Sequence, residues 1–248
     1  MLRTCPDGNY RYLPGIGAYS CGVVATPEHQ VVHAALRAPL PYREGFGLVE
    51  RHLAEAGRPR AALCAVELRL PAPLSFDGFA RFNEDYRTLL ADWKLLREGD
   101  NPVARTNVAP VVRPPAEPSL YGFAYTVPGP TARPTFVVAG SGELREGPME
   151  ASGIVRPGET TAEAMRDKAA FVMSMMDARL RGLGADWPDV TAIDVYTPYP
   201  IHPYLAETIL GPAGAAATHG VRWFLSHPPI AGLDFEMDIR GVSREIVP

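Results

Sequence analysis

The chain has 248 residues, of which 46% are hydrophobic and 21% charged, and its formal net charge is −4. That length and apolar content are enough to bury two small cores without disulfide staples. No Lys/Arg block marks a nucleic-acid partner, and no stretch approaches the ~18 apolar residues of a membrane helix.

Met1-Leu2-Arg3-Thr4-Cys5-Pro6 has no apolar run after its charge, so no secretory signal is expected. Cys5, Cys21 and Cys64 match no zinc spacing and are expected to be reduced thiols of a cytoplasmic protein. His202, His219 and His227 are too widely spread to suggest a metal site.

In chain order, strands are expected at Val23–Ala25 and Gln30–Leu36. A helix follows, with Phe46, Val49, Leu53 and Ala56 at helical spacing and Gly57 as its terminator. Next come a strand at Ala62–Leu70 and a helix from Asp77, a candidate N-cap, to about Trp93. Strands at Arg105–Val112 and Leu120–Thr126 close the first half, and the Pro/Gly-rich stretch Val127–Pro134 marks a junction. The second half opens with a strand at Thr135–Gly140. Thr160 and Glu163 have capping-box spacing ahead of a helix carrying Met165, Phe171, Val172, Met176 and Leu180. A strand at Val190–Tyr196, a shorter helix near Pro203–Leu210, and strands at Val221–Leu225 and Leu233–Gly241 complete the chain.

Two segments repeat without a gap. Leu53–Arg69 aligns with Leu180–Tyr196, so that Gly57 and Ala65 have counterparts 127 positions on, at Gly184 and Ala192. Each half therefore reads β-β-α-β-α-β-β. The expected fold is α+β: two tandem domains, residues 1–126 and 127–248, each a mixed sheet with two helices on one face. One continuous α+β domain is the alternative.

Three motifs of the first half stand in one order: Ile16-Gly17-Ala18-Tyr19, then Phe79-Ala80-Arg81-Phe82-Asn83-Glu84-Asp85-Tyr86, then Pro102-Val103-Ala104-Arg105-Thr106-Asn107. The second half offers Gly140-Ser141-Gly142-Glu143 and Phe235-Glu236-Met237-Asp238. Together they resemble the RidA family of reactive-intermediate deaminases. The resemblance implies the tandem fold just described and hydrolysis of a small carboxylated enamine or imine, such as a 2-aminomuconate-type ring-cleavage product, with no metal or cofactor. An arginine's planar fork suits a carboxylate, and water addition to a C=N bond needs an acceptor to aim it.

Residue by residue, the resemblance assigns the carboxylate to Arg105 and the water to Glu236. Tyr19 is the pocket tyrosine, Asn83 the helix asparagine, and Ser141 and Gly142 the pocket serine-glycine. Asn107 shares the strand face of Arg105. Neither half holds a complete set. The glutamate position of the first half falls near Leu120 or Tyr121, and the arginine position of the second near His219 or Gly220. Glu67, His33 and Arg37, the last placed just past a strand end, are candidate substitutes. Structural roles stay open for Tyr19, Asn83, His33 and Glu67, the last through an ion pair with Arg69. The family's rings, with sites at the seams between subunits, imply a homotrimer with one ring of first halves and one of second halves. A chorismatase-like enzyme acting on a dicarboxylate and a non-catalytic binder of small ligands are the competing functions.

Overall fold

The apolar runs fold as two mixed sheets with helices on their outer faces. In the computed structural model, which describes every residue except 146 and 148, the strands of the first half are β1 (Arg3–Cys5), β2 (Tyr10–Leu13), β3 (Gly22–Ala25), β4 (His29–Pro41), β5 (Leu63–Arg69), β6 (Ala104–Pro110) and β7 (Ser119–Pro128). Helices α1 (Tyr42–Glu55) and α2 (Phe76–Asp92) fall among them. The second half contributes β8 (Phe136–Gly142), α3 (Ala162–Gly182), β9 (Ala192–Tyr196), β10 (Arg222–Phe224), β11 (Ser226–His227), β12 (Glu236–Gly241) and β13 (Arg244–Ile246). The shorter helix expected near Pro203–Leu210 is a π-helical segment, Leu205–Leu210, running into a short α-turn at Gly211–Ala213.

Helix boundaries follow local chemistry. Ser75, not Asp77, caps α2: its hydroxyl accepts from the Gly78 N–H at 3.0 Å. Thr161 rather than Thr160 caps α3 and accepts from Ala164 N at 3.2 Å, which leaves Glu163 one position short of a capping box. Gly57 and Gly184 follow α1 and α3 at φ +66° and +78°, where a side chain would be strained. These repeated glycines turn each chain reversal into the next strand.

Sheet membership does not follow the halves of the sequence. One sheet runs β11-β6-β5-β7-β4-β13 and the other β1-β2-β3-β8-β12-β9-β10. The strand at Val23–Ala25 thus leaves its expected partners: β3 pairs antiparallel with β8 of the other sheet. In return β11 and β13 edge the first sheet, alongside β6 and β4. β4 extends to Pro41, with its pairing to β7 broken between Ala35 and Leu40. Arg37 therefore lies inside the strand, in the unpaired stretch, and is exposed.

Each sheet buries one face under helices. Phe46, Val49 and Leu53 of α1 and Tyr86 and Leu90 of α2 pack with Val66, Leu68 and Phe123. Met165, Val172, Met176 and Leu180 of α3 pack with Val138, Ile193, Met237 and Ile239. A third cluster draws on both sheets: Ala65, Ala104 and Ala124 of the first meet Tyr10, Val23 and Ala139 of the second. The small side chains let the sheets approach closely where β6 meets β8. There the Gly140 N–H donates to Thr106 Oγ1 at 3.1 Å, and the Ser20 N–H to the Val103 carbonyl at 3.0 Å. No helix of the described residues is long and apolar enough to cross a membrane.

Candidate active site

Alternation along β6 separates two environments. Ala104 and Thr106 face the sheet interface, whereas Arg105 and Asn107 share the opposite face. Arg105 is 3% exposed, and its guanidinium lies within 4.7 to 5.6 Å of the rings of Tyr19, Tyr86, Phe82 and Phe79. One nitrogen, Nη2, donates to Asn83 Oδ1 at 2.6 Å. Among the described residues the buried Nε and Nη1 have no hydrogen-bond partner, and neither do Oδ1 and Nδ2 of Asn107. Burial pulls the guanidinium below its ordinary pKa, against the opposing pull of Tyr86, Tyr19 and Glu236. Buried polar atoms in folded proteins are nearly always paired, so this edge stands out as one with unmet hydrogen-bonding capacity.

Glu236 opens β12, between Gly142 of β8 and Tyr196 of β9. Its carboxyl is pushed well above the ordinary carboxylate range, first by burial and then by Asp238 and Glu143; Arg179 and Arg105 oppose the shift. The strand start is pinned from behind. The Glu143 carboxylate accepts the N–H groups of Asp234 and Phe235 at 2.6 and 3.0 Å and pairs with the fully buried Lys168. Lys168 also pairs with Asp234.

Arg105 and Glu236 line one cavity of about 120 Å³ together with Tyr19, Asn107, Ser141 and Gly142. Candidate residues from the two halves of the sequence thus form two walls of one cavity. The RidA resemblance puts such sites between chains; this one lies within a single chain, because β6 of one sheet packs on β8 of the other. Gly140, also lining it, has no room for a side chain: a Cβ there would stand 2.2 Å from Glu236 Oε1 and 3.2 Å from the Thr106 backbone. Gly140→Ala is expected to leave the chain folded, since the carboxyl can swing away, yet to lower kcat about 10²-fold by displacing it. Steady-state kinetics beside a thermal melt check this.

Two other expected residues lie elsewhere. His33 and Glu67 are buried in an ion network on the interface face, joined Nε2 to Oε1 at 2.6 Å, with Arg69 3.8 Å from the carboxylate. Burial alone would raise the Glu67 pKa, but His33, Arg240 and Arg69 outweigh it and hold the group below the carboxylate range. A slit of about 10 Å³, at most water-sized, is lined by both Arg105 and this pair. Asp194, the repeat counterpart of Glu67, is likewise engaged, by Arg240 at 2.8 Å and Arg222 at 2.7 Å. Arg37 lines neither space.

The sequence reading missed Arg179, on α3, which also lines the cavity. Its Nη1 donates to the carbonyls of Ala139 and Gly140 at 3.1 and 3.3 Å. The repeat register carried a signal for it. Its counterpart 127 positions earlier is His52, which α1 likewise turns onto its sheet, 3.0 Å from the Tyr125 hydroxyl.

The model of a family described as 2-aminomuconate deaminase CnbZ matches residues 2–246. The chain belongs to this family. Its members are deaminases and act on C–N bonds. A family relative, the 2-amino-5-chloromuconate deaminase of Comamonas testosteroni, is 40% identical over 243 residues, covering 97% of this chain and 96% of that one. Among solved structures, a chorismatase superposes with a TM-score of 0.51 at 14% identity, over 90% of this chain and 77% of its own, which is a likeness of fold. A YjgF-family protein from Neisseria meningitidis covers 51% of this chain and 99% of its own, with 16% identity and a TM-score of 0.23, too low to carry an argument.

Proposed function

We propose that this chain hydrolyses a 2-aminomuconate-type enamine to the 2-oxo acid and ammonia in the cavity lined by Arg105 of one sheet and Glu236 of the other. The observation that carries the reading is that Arg105, with two unpartnered nitrogens, and Glu236, a carboxyl held toward its protonated form, line one cavity. Support comes from the family match over residues 2–246 and from the 40% identical relative, whose name specifies a 2-amino-5-chloromuconate.

The chemistry runs as follows. Arg105 takes the carboxylate next to the amine-bearing carbon through its free N–H groups, and Asn107 offers a donor and an acceptor beside it. The Glu236 carboxyl gives its proton to the neighbouring alkene carbon, which converts the enamine to an electrophilic iminium. The resulting carboxylate accepts a proton from water as the oxygen bonds to the C=N carbon. Transfer of the hydroxyl proton to nitrogen breaks the C–N bond, releasing ammonia and leaving a ketone. One water is consumed per ammonia released. The aromatic ring set around Arg105 keeps bulk water off the charge pair, which strengthens it.

The same reading treats residues 1–126 and 127–248 as two RidA-like units that exchange edge strands, each supplying half of one site. In a homotrimer of such chains, each chain would hold its own site. The test is ammonia release from freshly generated 2-aminomuconate. The expected result is one ammonia and one 2-oxo diacid per substrate consumed; binding without release would overturn the reading in favour of a ligand-binding protein.

A further inference from the structure

We infer that Arg179 receives the substrate carboxylate remote from the reacting carbon, and so sets the preference for a diacid over a monoacid. This deepens the deaminase reading and rests on it. Two guanidinium groups reach one small cavity from different layers: Arg105 from β6 of the first sheet, and Arg179 from α3, which covers the second. The titratable acid that lines it with them, Glu236, is buried. With that carboxyl protonated, two positive charges remain, and two carboxylates balance them.

The hydrogen-bond geometry of Arg179 suits the role. Its Nη1 is spent on the backbone carbonyls of Ala139 and Gly140, which fixes the plane of the guanidinium. Among the described residues nothing pairs with its Nε or Nη2. A guanidinium locked on one side and free on the other is prepared for an anion at low entropic cost. Phe79, Leu144, Ile230 and Leu233 give the cavity apolar walls, which suit a conjugated carbon chain linking two acid groups. A purely structural role is the competing explanation: Arg179 could serve only to hold the β8 carbonyls and thereby shape Gly140 beneath Glu236.

Calorimetry with two stable acids that lack the amine separates these explanations. Hexa-2,4-dienedioate carries both carboxylates, and hexa-2,4-dienoate only one. The wild-type chain is expected to bind the diacid roughly 10- to 100-fold more tightly. Arg179→Gln is expected to abolish that difference while leaving monoacid affinity within about twofold. Arg179→Lys, which keeps a charge, restores part of the gap and guards against a misfolded Gln variant. Equal affinity of the wild type for the two acids would overturn the inference, as would an equal loss for both acids in Arg179→Gln. The deaminase reading stands or falls separately, on ammonia release: a diacid preference that depends on Arg179, in a wild-type chain that frees no ammonia, would keep this inference and remove that one.

Discussion

Glu236→Gln is expected to lower kcat roughly 10²- to 10⁴-fold while raising thermal stability at neutral pH. Both effects have one cause. The carboxyl is 4% exposed, sits beside Asp238 and Glu143, and is pushed well above its ordinary pKa. In the proposed reaction it acts as the proton donor, where an ordinary glutamate would be ionised. An amide of the same shape can neither give the proton to the alkene carbon nor take one from water. The sign for stability follows from linkage. A carboxyl whose folded pKa is raised favours folding fully below its unfolded value, and that contribution is lost as pH rises through the raised value. The amide has no such loss. The variant's advantage should be absent near pH 4 and grow toward neutrality, reaching about 2–4 °C in Tm for each kcal/mol relieved. The wild-type kcat/KM should fall as pH rises through the raised pKa, because the free enzyme must begin protonated. A flat pH profile, or a Gln variant that keeps its activity, would remove Glu236 from the chemistry.

Arg105→Met is expected to reduce kcat/KM roughly 10²- to 10³-fold, most of it in KM. The carboxylate is held in both ground and transition states, so its loss is chiefly a loss of binding. Arg105→Lys should fall between, since a lysine keeps the charge but cannot offer two nitrogens in one plane or stack between Tyr19 and Tyr86. Asn83 loses its donor in the Met variant, at the cost of one part-buried hydrogen bond, about 1 kcal/mol. Initial rates on the diacid substrate, with a melt for each variant, distinguish loss of binding from loss of fold. An unchanged KM in Arg105→Met would contradict the assignment.

Local signals in the sequence carried part of this site and could not carry the rest. Arg105, Asn83 and Tyr19 were singled out because each sits in a short motif that resembles a known family, and Asn107 because it shares the strand face of Arg105. Glu236 was legible for the same reason in the other half. Their meeting was not, since no pattern within either half records that β6 packs on β8. The strand exchange was hidden likewise: β3 pairs with β8 more than a hundred residues on, and nothing in Gly22–Ala25 favours that partner over β4. β1, β2 and β13 are short and lack a clear period, so they escaped notice. His33 and Glu67 looked available for chemistry because a polar residue within an apolar strand signals function and buried ion pairing alike. Only the three-dimensional contacts show that they pair with each other.

The central claim is that one chain supplies both the carboxylate anchor and the proton carrier of each site. Co-expression of Arg105→Met and Glu236→Gln chains, each strongly impaired in kcat/KM, tests it most directly, with ammonia release measured on the mixed assembly at substrate well below KM. Sites assembled within chains leave every cavity with one lesion, so the mixture should be no more active than either variant alone. Recovery of a substantial fraction of wild-type activity would mean that Arg105 and Glu236 work across a boundary between chains, and would contradict this account.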